Sequence, residues 1–103
     1  MWAQLIIQRL KPGKEDRLRA ILDKLHAIEQ PDSGLLRSIA MTDQNDPSRV
    51  YMLVQFESEE AARRREQDPR RETGLAETRA MMGEVFDGPP EFVDLTVLED
   101  MTP

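Results

Sequence analysis

The chain of 103 residues has no cysteine, a single histidine, a single tryptophan and a single tyrosine, and no apolar run longer than Val50–Val54. Without cysteine there can be no disulfide, zinc–thiolate site, iron–sulfur cluster or thiol nucleophile, which suits a reducing compartment. One histidine and scattered carboxylates form no metal-ligand spacing and no calcium loop, so no metal is expected. A membrane span needs about 20 consecutive apolar residues, and Met1-Trp2-Ala3-Gln4 lacks the basic start of a secretory signal. A cytoplasmic protein with no membrane partner is the expectation. Positive charge is also scarce: 14 Lys and Arg against 20 Asp and Glu leave a net charge of −6. Residues 1–52 carry 8 basic and 7 acidic groups, net +1, whereas residues 53–103 carry 6 and 13, net −7. Such a surface repels a phosphate backbone, so no nucleic-acid partner is expected. The five arginines Arg63, Arg64, Arg65, Arg70 and Arg71 lie among six acids between Glu57 and Glu72, which reads as a solvated mixed-charge helix face.

What is present is alternation and periodicity for one core, giving a single domain over 1–99 with 100–103 as a flexible tail. Trp2 to Leu10 alternates as a strand and stops at Lys11-Pro12-Gly13. Leu18, Ile21, Leu22, Leu25 and Ile28 then form one stripe of an amphipathic helix, ended by Gln30-Pro31-Asp32-Ser33-Gly34. Leu35 to Met41 and Arg49 to Glu57 read as a strand hairpin around the turn-forming stretch Thr42–Ser48. Ser58 caps a short helix through Glu66, and Asp68-Pro69 starts another that carries Leu75, Arg79, Met82 and Phe86. Asp87-Gly88-Pro89-Pro90 ends it, and Phe92 to Leu98 is the last strand.

The order strand, helix, strand, strand, helix, strand is that of a split βαβ, an α+β ferredoxin-like βαββαβ sandwich. Its four-stranded antiparallel sheet carries helices on one face. The uniformly apolar sets Ala3/Leu5/Ile7, Val50/Met52/Val54/Phe56 and Val93/Leu95/Val97 are expected beneath the helices. The mixed sets Trp2/Gln4/Ile6/Gln8/Leu10, Tyr51/Leu53/Gln55 and Phe92/Asp94/Thr96/Leu98 are expected on the open face. An open face so rich in large apolar groups predicts sheet-to-sheet homodimerisation.

The wording of the chain also resembles a known family. Lys11-Pro12-Gly13-Lys14-Glu15, Ser33-Gly34-Leu35-Leu36, and Asp43 to Pro47 ahead of Val50–Ala61 resemble the antibiotic biosynthesis monooxygenase-like proteins of the dimeric α+β barrel superfamily. The likeness covers residues 4–62 well and the remainder in outline, and it is carried by order and spacing rather than by one motif. It implies homodimers whose sheets pack into an α+β barrel, each protomer holding a pocket between sheet and helices. It further implies activities such as cofactor-independent oxidation of phenolic polyketides, haem degradation or isomerisation of small metabolites. Members commonly carry a His near the end of the helix after the third strand. Here that stretch reads Ala61-Ala62-Arg63-Arg64-Arg65-Glu66 and has none. The Asn, Trp and His of the haem-degrading members cannot be mapped onto this chain, which argues against haem degradation.

Each candidate residue has a chemical and a plain structural reading. His26, beside Leu22 and Leu25, can serve as a general base or stand as a border residue of its helix. Asp94 in an apolar groove would have its pKa raised and could take a proton; at a rim it would be solvated or paired with an arginine. Arg65, near the place of the family's His, can stabilise an oxyanion or be one more surface cation. Trp2, Tyr51 and Phe92 offer stacking surfaces and a phenol to a planar ligand, with Gln4 and Gln55 as polar lining, or else pack a dimer interface. Two functions follow: a cofactor-free monooxygenase acting on a planar phenolic or enolic metabolite, and a non-catalytic ligand-binding or structural homodimer. RNA binding on the open sheet is disfavoured, since Arg49-Val50-Tyr51-Met52 lacks the glycine of that motif and the pI is 4.8.

Overall fold

The computed structural model describes residues 1–103, and no helix in it is long and apolar enough to cross a membrane. Strand β1 (Trp2–Arg9) leads through a turn of 3-10 helix, Glu15–Arg17, into α1 (Leu18–Ala27). Strands β2 (Leu35–Asp43) and β3 (Asp46–Phe56) form the hairpin, followed by α2 (Glu59–Glu66), α3 (Pro69–Val85) and β4 (Glu91–Thr96). The sheet is antiparallel throughout, with strand order β2-β3-β1-β4. This is the α+β ferredoxin-like arrangement expected from the element order.

Both caps expected of the second helical region form. The Ser58 hydroxyl accepts from the Ala61 amide at 3.1 Å, and the Asp68 carboxylate accepts from the Arg70 amide at 2.9 Å with Pro69 behind it. The hairpin is longer than its composition suggested. Turn residues fill Thr42–Ser48, yet only Gln44 and Asn45 lie outside the strands. A bulge in the β2–β3 register beside Thr42 accommodates Pro47, which cannot donate to a ladder. Strand β4 ends at Thr96, short of the expected Leu98.

Pairing corrects the assignment of faces. Trp2 lies opposite Phe56, Gln4 opposite Val54, Ile6 opposite Met52 and Gln8 opposite Val50, so these β1 residues share the face of the Val50–Phe56 set. On the other side of β1, Ile6 faces Phe92 and Gln4 faces Asp94. The helix-covered face is therefore Trp2/Gln4/Ile6/Gln8 with Val50/Met52/Val54/Phe56 and Phe92/Asp94. The open face holds Ala3, Leu5, Ile7, Tyr51, Leu53, Gln55, Val93 and Leu95, so the expectation held for β3 and failed for β1 and β4. Both sides of β1 carry branched aliphatic residues, and a strand's own alternation cannot choose between them.

The covered side is incompletely filled. Leu10, Ile21, Val50, Val85 and Phe86 form one buried cluster, and Val54, Phe56 and Ala62 another. Between sheet and helices lies a cavity of about 910 Å³ lined by residues packed on both clusters, including Leu25, Met82, Trp2 and Leu35.

Candidate functional site

The cavity is where the covered face and the helices fail to meet. Its floor is Gln4, Ile6, Gln8 and Met52, and its walls include Leu22 and His26 of α1, Arg65 of α2, and Arg71, Leu75 and Met82 of α3. More than half of its lining residues are hydrophobic. A largely apolar concavity with a few convergent polar groups is the usual form of a small-molecule site.

The polar groups arrive by helical spacing. Ala61 and Ala62, both buried, let α2 lie close to β3, and Arg65 follows on the same face one turn later. Its guanidinium meets Glu29 in a two-pronged pair, with Nε 3.0 Å from both carboxylate oxygens and Nη2 2.6 Å from Oε1. Both side chains are only 17% exposed, and Arg65 also lies 5.3 Å over the Phe56 ring. Burial by itself would raise the pKa of the Glu29 carboxyl. Hydrogen bonds from Arg65 and Ser33, with the charges of Arg65 and Arg71, outweigh it and hold the group below its ordinary range. On α3, Arg71 shares the inward stripe of Leu75, Thr78 and Met82 at helical spacing, and it too lines the cavity. Burial chiefly, and then the Arg65 charge, pull its pKa below the ordinary guanidinium value.

The residues singled out from the sequence divide between the two faces. Trp2, Gln4, Phe92, His26 and Arg65 line the cavity. Asp94 stands beside Gln4, whose Nε2 donates to it at 2.9 Å, and Arg63 Nη2 donates to it at 3.3 Å. Arg63 also lies 5.2 Å over the Trp2 ring. Asp94 is thus a half-exposed carboxylate with an arginine partner, outside the cavity lining, and no apolar groove encloses it. Tyr51 and Gln55 are on the opposite face, away from the cavity. Arg49 stacks 5.3 Å over Tyr51, and Gln55 Nε2 donates to Asp100 at 3.2 Å. A binding set joining Trp2 with Tyr51 is therefore split by the sheet. His26 is exposed at the cavity edge, on the last turn of α1.

Sequence reasoning gave Glu29 no role, set Gln8 on the open face and read Arg71 as one of a solvated set, whereas all three line the cavity. Arg71 sits in a run of charge, yet its spacing with Leu75, Thr78 and Met82 from the Asp68-Pro69 start places it inward. Glu29 carried no local signal, because its partner is 36 residues away.

Comparison with known proteins fits this architecture. The family model described as antibiotic biosynthesis monooxygenase matches residues 1–76. Among curated proteins none matches the sequence. Solved structures superpose over nearly the whole chain. A candidate antibiotic biosynthesis monooxygenase from Nitrosomonas europaea is similar with a TM-score of 0.78 at 15% identity, over 96% of this chain and 100% of that one. NE2512, a protein of unknown function from the same organism, gives 0.76 at 20% identity, over 99% and 93%. Rv0793 from Mycobacterium tuberculosis gives 0.76 at 18% identity, over 98% of each chain.

Proposed function

We propose that this chain, which belongs to the antibiotic biosynthesis monooxygenase family, takes a planar phenolic or enolic metabolite into its cavity and oxidises it without a cofactor. The observation that carries this reading is the 910 Å³ cavity itself, large enough for a fused-ring compound, with more than half of its lining residues hydrophobic and polar groups among the rest. A base removes a proton from an activated CH₂ of the substrate, and the resulting carbanion passes an electron to dioxygen. Recombination of the two radicals and uptake of the proton give a hydroperoxide. Loss of water from it leaves a carbonyl. The substrate supplies all four electrons, and one dioxygen yields the new carbonyl oxygen and one water.

His26 at the cavity edge and Asp94, bonded to the lining residue Gln4, are the groups placed to take the proton, and Arg65 on the wall, held by Glu29, is the group placed beside the developing oxyanion. Oxygen uptake against a panel of phenols, quinols and anthrones tests the proposal. Turnover above background is expected, and His26→Asn or Asp94→Asn should lower it about 100-fold if that residue is the base. Uptake at background across the panel would defeat the oxidation.

A second reading, a non-catalytic ligand-binding homodimer, draws on one observation: α2 carries Arg63-Arg64-Arg65 and no histidine. It expects stoichiometric binding of the same compounds with no oxygen consumed. In either reading the open face pairs with that of a second copy, as the family resemblance implies.

A further inference from the structure

One guanidinium on the cavity wall has no protein partner. Arg71 lies in the first turn of α3, its Nε is buried with no hydrogen-bond acceptor, and it takes part in none of the ion pairs of the chain. Its neighbours on the same cavity are committed otherwise. Arg65 is held by Glu29, Arg79 by Glu72 at 3.0 Å and Arg19 by Asp23 at 3.2 Å. Arg37 also lines the cavity without an ion pair, but it is exposed to solvent on β2, opposite Gln55. Glu29 gives its acceptor oxygens to Arg65, and although its charge and that of Glu66 act on Arg71 through space, neither carboxylate forms an ion pair with it. A guanidinium stays protonated at neutral pH even when burial works against it. A buried N–H without an acceptor costs the folded protein stability, and Arg71 lines the cavity, where a ligand can meet its guanidinium.

We propose, building on the cavity reading above, that the ligand of this chain is a planar organic acid whose carboxylate is received by Arg71. The planar fork of Arg71 matches two carboxylate oxygens, and the ring system lies against Leu22, Met52, Phe56 and Leu75. The number of free cations selects the class. A single unpaired inner guanidinium balances a carboxylate monoanion, whereas a phosphate dianion would need a second, and Arg65 is already neutralised. Arg71 is a binding residue in this proposal and moves no proton.

Calorimetric titration at pH 7 with matched acid and amide probes tests it: a naphthoate with its naphthamide, and an anthraquinone carboxylate with its carboxamide. The wild-type chain should bind the acid of at least one pair about tenfold or more tightly than the amide, the worth of a charge-assisted hydrogen bond. In Arg71→Met that preference should fall to about one, with the amide affinity unchanged, and Arg71→Lys should keep part of it. Arg71→Gln repeats the test should the methionine variant not fold. Equal affinity for acid and amide, or a preference that survives the loss of Arg71, overturns this assignment and leaves the cavity reading standing. Binding of neither member of either pair overturns the cavity reading and this proposal with it.

Discussion

At the scale of single residues, the chemistry concentrates in two neighbouring arginines treated differently by the fold. Arg65 has a carboxylate in a two-pronged embrace, and Arg71 has none. Glu29 therefore screens two cations. Glu29→Gln should destabilise the protein by about 2–3 kcal/mol, because it leaves the largely buried Arg65 and the partly buried Arg71 without their nearest negative charge. The same residue predicts a pH dependence. The folded state holds the Glu29 carboxyl below its ordinary value of 4.5, so the unfolded chain binds the proton more readily. Its contribution is fully present above about pH 4.5 and is lost as pH falls through the lower folded value. Denaturant unfolding from pH 7 downward should show this loss in the wild type, and the Glu29→Gln curve should lack that component.

At the scale of elements, two glycine and cap positions set how closely α2 approaches the sheet. Gly34 has φ +84°, and a Cβ there would come 2.6 Å from Ala61 Cβ at the start of α2. The left-handed conformation and the clash act together, so Gly34→Ala should cost about 2 kcal/mol or more in thermal or denaturant unfolding. Ala61→Gly in the same background should return part of that loss, which separates the clash from the backbone term. Ser58→Ala removes the cap at the same end and should cost about 1 kcal/mol. Gly74 plays the corresponding part for α3, since a Cβ there would collide with Ile28 Cγ2. These close approaches hold α2 and α3 where Arg65 and Arg71 reach the cavity.

At the scale of the whole molecule, the isolated chain is more open than a finished domain. Its accessible surface is 6940 Å², against about 6,000 Å² for a compact monomer of 11.9 kDa. Its radius of gyration is 14.1 Å, against about 13 Å for a compact chain of this length. The cavity accounts for part of the excess. The uncovered sheet face, with Leu5, Ile7, Ile39, Leu53 and Val93 only half-buried and Leu95 exposed, contributes as well, as do the exposed residues 98–103. A second copy pairing through this face would bury those groups. Light scattering should then give about twice the 11.9 kDa chain mass, and Leu53→Asp, placing a charge at the centre of the face, should give a monomer. A monomeric wild type would remove the argument for pairing through the sheet.

Element order, the two caps at Ser58 and Asp68, and hence the α+β ferredoxin-like topology are local properties. They depend on periodicity, on turn chemistry and on which side chains can reach a nearby amide, and all of these are written in contiguous residues. The face that each strand presents is different. On β1 either alternate set could have been the inner one, and only the opposition of Trp2 to Phe56 and of Gln4 to Val54 decides it. That decision moved Trp2, Gln4 and Phe92 into the cavity and left Tyr51 and Gln55 outside it. The pairing of Arg65 with Glu29 across 36 residues, and the absence of any partner for Arg71, likewise exist only once α1, α2 and α3 are packed over the sheet. Local sequence determines what each segment becomes, because hydrogen bonds and periodic burial act over a few residues. Which charges are matched and which are left to meet a ligand is settled by contacts between segments far apart in the chain.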